Sequence, residues 1–170
     1  MQVLCALFAA VCAVCSQITI PIQPVPITLG TLAALLAGGF LGKRYGAMSI
    51  ILYLLLGMAG VPVFSLMRAG FSVIAGPSGG FIVGFAFMAF VTGWIGEKFG
   101  CSFRGMMAAS ILGTAVCYAL GLAWFMFLTG TGIWASMVMC MFPFLPGDFA
   151  KILLASFLVS KYRKRIIGTY

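Results

Sequence analysis

The sequence contains no histidine and only two acidic residues in 170, Glu97 and Asp148. Without histidine, the commonest zinc and haem ligand is missing. So is the general base that serine and cysteine hydrolases use. No nucleotide-binding G-x-x-x-x-G-K-[ST] is present, since Arg44 follows Gly42-Lys43 and Ala37 stands where the first glycine belongs. ATP hydrolysis by that route is excluded. Charge of either sign is scarce, at 7% of residues against about 25% in a soluble domain. No cofactor is implied.

What fills the chain is apolar: 64% of residues are hydrophobic. The reading is an all-α integral membrane protein. Its length leaves room for about six spans of roughly 20 residues in one unit, 1–170. The runs are continuous, unlike the alternating segments of a β-barrel. The six cysteines, Cys5, Cys12, Cys15, Cys101, Cys117 and Cys140, lie mostly inside these runs and read as small buried hydrophobes, with no disulfide framework. Cys12-x-x-Cys15 sits mid-span without a βαβ context, so it carries no redox or metal assignment. The first run lacks a basic n-region and an A-x-A cleavage site, so it is not read as a signal peptide.

Six spans are expected, at about Val3–Ile18, Thr28–Leu41, Ala47–Ala59, Phe81–Ile95, Met106–Leu128 and Phe149–Ser160. In the first, Ala6 and Ala10, and Ala9 and Ala13, are small-xxx-small pairs that admit a close helix neighbour, within the bundle or in a partner. Pro21, Pro24 and Pro26 force an extended, largely donor-free loop. The stretch 60–80 is glycine- and proline-punctuated yet apolar; irregular backbone at membrane depth is tolerated where it is buried or lines a cavity, which points to a lid or a site wall. Thr129-Gly130-Thr131-Gly132 ends the fifth span, and Ile133–Met141 reads as a short interfacial helix.

Net charge is +8, from ten Lys and Arg. The basic residues cluster tightly between apolar runs, which fits orientation in a membrane better than nucleic-acid binding. With six spans, Lys43, Arg44, Lys98, Arg104, Lys161, Arg163, Lys164 and Arg165 fall on one side. The positive-inside rule makes that side cytoplasmic, with both termini there. The irregular stretches 20–27, 60–80 and 129–148 then converge on the outer face, as a ligand site open to the outside.

Asp148 and Lys151 stand three residues apart at the start of the last span, after Pro143-Phe144-Leu145-Pro146-Gly147. An isolated charge near the bilayer centre costs roughly 2.5–3.5 kcal/mol, and residues at i and i+3 share a helix face. Asp148 alone reads equally as an N-cap after Pro146-Gly147. Lys151 does not fit that reading, since a cation in the first turn opposes the helix dipole. A mutual ion pair is the plain alternative. Together they offer an acceptor and a donor to a ligand that carries N–H groups and a carbonyl, such as a ureido group. Gly76-Pro77-Ser78-Gly79-Gly80 matches G-x-S-x-G, but no histidine base accompanies it. It reads better as a glycine-rich turn whose backbone approaches a ligand than as part of a Ser78–Lys151 hydrolase. With so few charges inside the spans, a proton or sodium relay is thinly supported; active transport would draw its energy from a partner.

These residues carry a resemblance. Pro24-Val25-Pro26-Ile27-Thr28-Leu29, Leu36-Ala37-Gly38 through Gly42, Leu52-Tyr53-Leu54-Leu55-Leu56-Gly57, Gly60-Val61-Pro62-Val63-Phe64, Gly76-Pro77-Ser78-Gly79-Gly80 and Pro146-Gly147-Asp148 with Lys151 resemble the BioY family over nearly the whole chain. Its members are biotin-binding S components of energy-coupling factor transporters. The resemblance implies six transmembrane helices, biotin capture from outside a bacterial or archaeal cytoplasmic membrane, no enzymatic activity, and docking on a T component driven by two cytosolic ABC ATPases. It also implies that Asp148 and Lys151 address the ureido ring, with Thr28, Tyr53, Ser78, Gly79 and Gly80 at the site. Arg68, the only other outer-side cation, would pair with the biotin carboxylate. Ala6 and Ala10 resemble the A-x-x-x-A through which S components meet the T subunit. The sequence departs from the family at Gly30, where glutamine is usual, and at Ser78, where threonine is commoner. A stand-alone transporter or facilitator for biotin or a related vitamin is the alternative.

Overall fold

The computed structural model describes residues 1–21, 25–100 and 102–167, the side chains of 164–167 excepted. Pro24, Cys101 and the Lys164 and Arg165 side chains, all used in the reading above, lie outside the described residues. The chain is built of helices: α1 (Gln2–Gln17), α2 (Gly30–Met58), α3 (Phe71–Ala75), α4 (Gly79–Phe99), α5 (Phe103–Thr129), α6 (Ile133–Cys140) and α7 (Leu145–Ile167). The α2–α4 interface is the most extensive, followed by α4–α5 and α1–α2, while α7 packs on α2 and α5.

The expected second and third spans are the two legs of α2, 30–41 and 43–58. The separation between them is a single residue. Gly42 has φ 81° and ψ −178°, a conformation that is essentially glycine's alone. The Glu97 carboxylate fills the space beside it, where a Cβ on Gly42 would come within 2.2 Å of Oε1. Glu97 Oε1 accepts a hydrogen bond from the Lys43 backbone N–H at 3.0 Å, and Oε2 lies 3.4 Å from Lys43 Nζ. The carboxylate thus caps a leg whose first N–H groups have no helical partner.

Helices α4 and α5 are each long and apolar enough to cross a membrane; α6 and α7, bent by 59° at their break, pass that test only as a pair, in the manner of a broken span or a re-entrant loop. Pro146 sits in the first turn of α7, where its missing N–H is not needed. Asp148 N–H donates the first helical bond there, to Phe144 O at 2.8 Å.

The stretches between the long helices are more regular than the expected extended loop and irregular wall, and helix α3 lies within 60–80. Strands β1 (Thr19–Ile20) and β2 (Ile27–Thr28) pair antiparallel, Thr19 opposite Thr28, and this closes the proline-rich loop on itself. In the stretch 60–70, Phe64 is fully buried and its ring meets Tyr53 edge-on at 5.6 Å. Leu66 and Met67 adopt left-handed backbone, φ 61° and 57°, at a cost of roughly 1–3 kcal/mol each. Gln17, at the end of α1, holds this turn. Its Nε2 donates to Pro62 O at 3.2 Å and Phe64 O at 3.0 Å, and its Oε1 accepts from Met67 N–H at 3.1 Å.

Candidate ligand-binding site

The first turns of α2 and α7 meet the middle of α5 around a buried ion pair. Lys151 is 7% and Asp148 4% exposed, and Lys151 Nζ lies 2.8 Å from Asp148 Oδ1. The ammonium also donates to Thr28 O at 2.8 Å and to Thr31 Oγ1 at 2.9 Å, so each of its three N–H donors has a partner. Thr31 Oγ1 lies 3.4 Å from Asp148 Oδ1, on the donor side of a long hydrogen bond. Tyr118 OH donates a short hydrogen bond to the other carboxylate oxygen, Oδ2. The N-cap reading of Asp148 is superseded: the residue lies within the first turn, and its carboxylate is spent on three side chains.

A cavity of about 40 Å³ opens on this cluster. Thr31, Tyr118, Asp148 and Lys151 give it a polar end, and Phe81, Phe85 and Val25 an apolar wall. A second cavity, of about 30 Å³, shares Val25, Pro26, Thr28, Phe81 and Phe85 with the first and extends to Ser16, Tyr53, Ser65 and Ser78. Tyr53 OH donates to Ser16 Oγ at 3.1 Å on that side. Each space holds little more than water, since one water needs at least about 10–15 Å³, whereas ligand pockets take about 300 Å³ or more. Val25, Pro26, Thr28, Phe81 and Phe85 border both cavities, and a drug-sized ligand would have to displace some of them.

The structure thus gathers Thr28, Tyr53, Ser78, Asp148 and Lys151 around two adjoining cavities. Gly79 and Gly80 are turned elsewhere. A Cβ on Gly79 would fall 1.6 Å from Ile74 O, and one on Gly80 2.3 Å from Trp124 Cβ. Their small size lets α3 and α5 close on α4, and they border a separate apolar pocket with Phe87 and Trp124. Arg68 is exposed and lines neither cavity. Ala6 and Ala10 are exposed on the outer face of α1, with Ala9 buried behind them.

The sequence reading missed Thr31, Tyr118, Ser16 and Ser65. The available signals were a tyrosine inside an apolar span, whose hydroxyl needs a partner when buried, and a threonine one helical turn beyond Thr28. Neither names its partner. No group of His, Cys, Asp and Glu able to hold a metal occurs among the described residues.

The BioY family profile matches residues 1–168. The biotin transporter BioY of Thermotoga maritima is 35% identical over 158 residues, covering 93% of this chain and 92% of that protein. Its namesake from Rhizobium etli is 38% identical over 169 residues, covering 92% and 89%. The crystal structure of the S component for biotin from an ECF-type ABC transporter superposes with a TM-score of 0.89 at 29% identity, covering 96% of this chain and 90% of that one. This chain belongs to the BioY family.

Proposed function

We propose that this chain is the biotin-binding S component of an energy-coupling factor transporter, a transporter subunit and not an enzyme. The observation that carries the reading is the buried Asp148–Lys151 pair at the polar end of an apolar cavity. The ureido N–H groups would donate to the Asp148 carboxylate and the ureido carbonyl would accept from Lys151, each bond to a charged group contributing about 1.5–3 kcal/mol. The apolar part of biotin would lie along Phe81 and Phe85 towards Ser16, Tyr53 and Ser78, once some of the residues bordering both cavities have been displaced.

The same proposal takes all 170 residues as one domain with six spans: α1, the two legs of α2, α4, α5 and α7. Both termini would be cytoplasmic and the site extracytoplasmic, in the cytoplasmic membrane of a bacterium or archaeon. In support, Gly42, Glu97 and Arg163 come together at one end of the bundle, while Thr28, Thr31 and Asp148 lie at the other ends of α2 and α7. The exposed Ala6 and Ala10 offer a close-packing face to a T component, which two cytosolic ATPases would drive.

Biotin binding to the purified protein in detergent, beside Asp148→Asn and Lys151→Ala, tests the assignment. The parent is expected to bind tightly and both variants to lose at least about tenfold in affinity. Binding that survives both substitutions would remove the pair from the site. A biotin derivative methylated on a ureido nitrogen should bind poorly to the parent, because it has lost the donor that Asp148 would accept.

A further inference from the structure

The Thr31 hydroxyl stands in the position of a ureido group toward the ion pair. It accepts from Lys151 Nζ at 2.9 Å and faces Asp148 Oδ1 as a donor at 3.4 Å. Those are the two roles assigned above to the ligand's carbonyl and N–H. The other neighbours each play one role: Tyr118 only donates to the carboxylate, through Oδ2, and Thr28 only accepts, through its backbone oxygen. Among the described residues, Thr31 alone has a side chain that bridges acid and base from outside the pair. It also lines the cavity beside them. A hydroxyl is the smallest group that can do both, with one donor and two acceptor lone pairs.

We infer that Thr31 is a built-in stand-in for the ligand: its hydroxyl engages Asp148 and Lys151 in the same donor and acceptor sense as a ureido group, and binding exchanges one for the other. The inference rests on the biotin reading of this site. A buried ammonium and carboxylate left short of partners would be costly, and the stand-in satisfies them until the ligand arrives. Threonine divides between two χ1 wells on a helix, so the hydroxyl can swing away without moving the backbone. Thr31 is therefore a positioning residue that competes with biotin, and it lowers affinity in return for a stable site.

This reverses the usual expectation for a polar residue in a binding site. Thr31→Val keeps the shape and removes the competitor, and the ureido carbonyl then becomes the acceptor that Lys151 lacks. Thr31→Val should bind biotin roughly tenfold tighter than the parent, the size of one net hydrogen bond to a charged group. Without biotin it should melt below the parent, and at saturating biotin the gap should close. Thr31→Ser keeps the hydroxyl and should match the parent in both respects.

The experiment is equilibrium binding and thermal melting, with and without biotin, of the parent, Thr31→Val, Thr31→Ser and Asp148→Asn in detergent. Weaker or unchanged binding by Thr31→Val would overturn the inference, the first making Thr31 a direct ligand contact and the second a filler. A Thr31→Ser protein that behaved like Thr31→Val would also overturn it, by placing the effect in the methyl group. If the parent fails to bind biotin, or Asp148→Asn binds it as tightly as the parent, the reading of the site falls and takes the inference with it. If those two controls behave as expected and Thr31→Val binds no tighter, the inference fails alone.

Discussion

Tyr118 donates to Asp148 Oδ2, leaving Lys151 and Thr31 to share Oδ1. A carboxylate this buried needs such an arrangement, because losing one donor exposes the remaining charge to the full cost of desolvation. Tyr118→Phe keeps the ring, which meets Phe81 edge-on at 6.5 Å, and removes only the hydroxyl. It should lower unfolding stability by about 1.5–3 kcal/mol, measured as a shift of the denaturation midpoint in detergent. An unshifted midpoint would mean that Tyr118 does not hold the carboxylate in the folded protein. Asp148 and Lys151 were legible at this scale because two lone charges beside an apolar run demand a reason. Tyr118 was not. A tyrosine within Met106–Leu128 has no visible partner until α5 is set against α7.

The helices follow from apolar runs punctuated by glycine, proline and basic residues, and so most of their bounds agree with the reading to within a few residues. The punctuation between the legs of α2 is sharper than Lys43-Arg44 suggests, because Gly42 takes the whole reversal in one residue. Gly42→Ala should destabilise by about 3 kcal/mol, the upper range for forcing a side chain into such a conformation, and the new Cβ would also push on Glu97. Comparing its thermal melt with the parent checks this, and an unchanged melting temperature would show that the legs can turn another way. The β1–β2 pair and the left-handed Leu66-Met67 turn were illegible for a different reason. Two-residue strands give no periodicity to detect, and the turn at Leu66 and Met67 is held in part by Gln17, some fifty positions away.

Across the molecule, charge is divided by function. Glu97, Lys43 and Arg163 gather where α2 reverses and α4 ends, whereas the buried pair lies where α2 and α7 begin. With about 1.5 Å per helical residue, the 21 residues of α4 separate these ends by roughly 30 Å, the thickness of a bilayer's hydrocarbon core. Among the described residues, Asp148 and Lys151 are the only buried charged side chains, and both lie at the same end. The protein reconstituted alone, in vesicles without ATP, is therefore expected to bind biotin at its outer face without accumulating it in the lumen. Uptake of labelled biotin under those conditions would favour a stand-alone facilitator.

By itself, the sequence determined the membrane character, the helical class, the order of the longer helices and the presence of an acid and a base three residues apart. Each of these rests on composition or short-range spacing: apolar runs long enough to leave water, breaks where glycine and proline occur, and an acid and a base one helical turn apart. Only the tertiary structure decided which side chains complete the site. Thr31, Tyr118 and Ser16 come from three helices, and Lys151 meets Thr28 and Thr31 across more than a hundred residues of chain. It also placed Arg68 on the exposed surface and set Gly79 and Gly80 to packing against Ile74 and Trp124. Long-range partnership depends on how the helices pack, and packing is a property of all their faces at once, which no local pattern encodes.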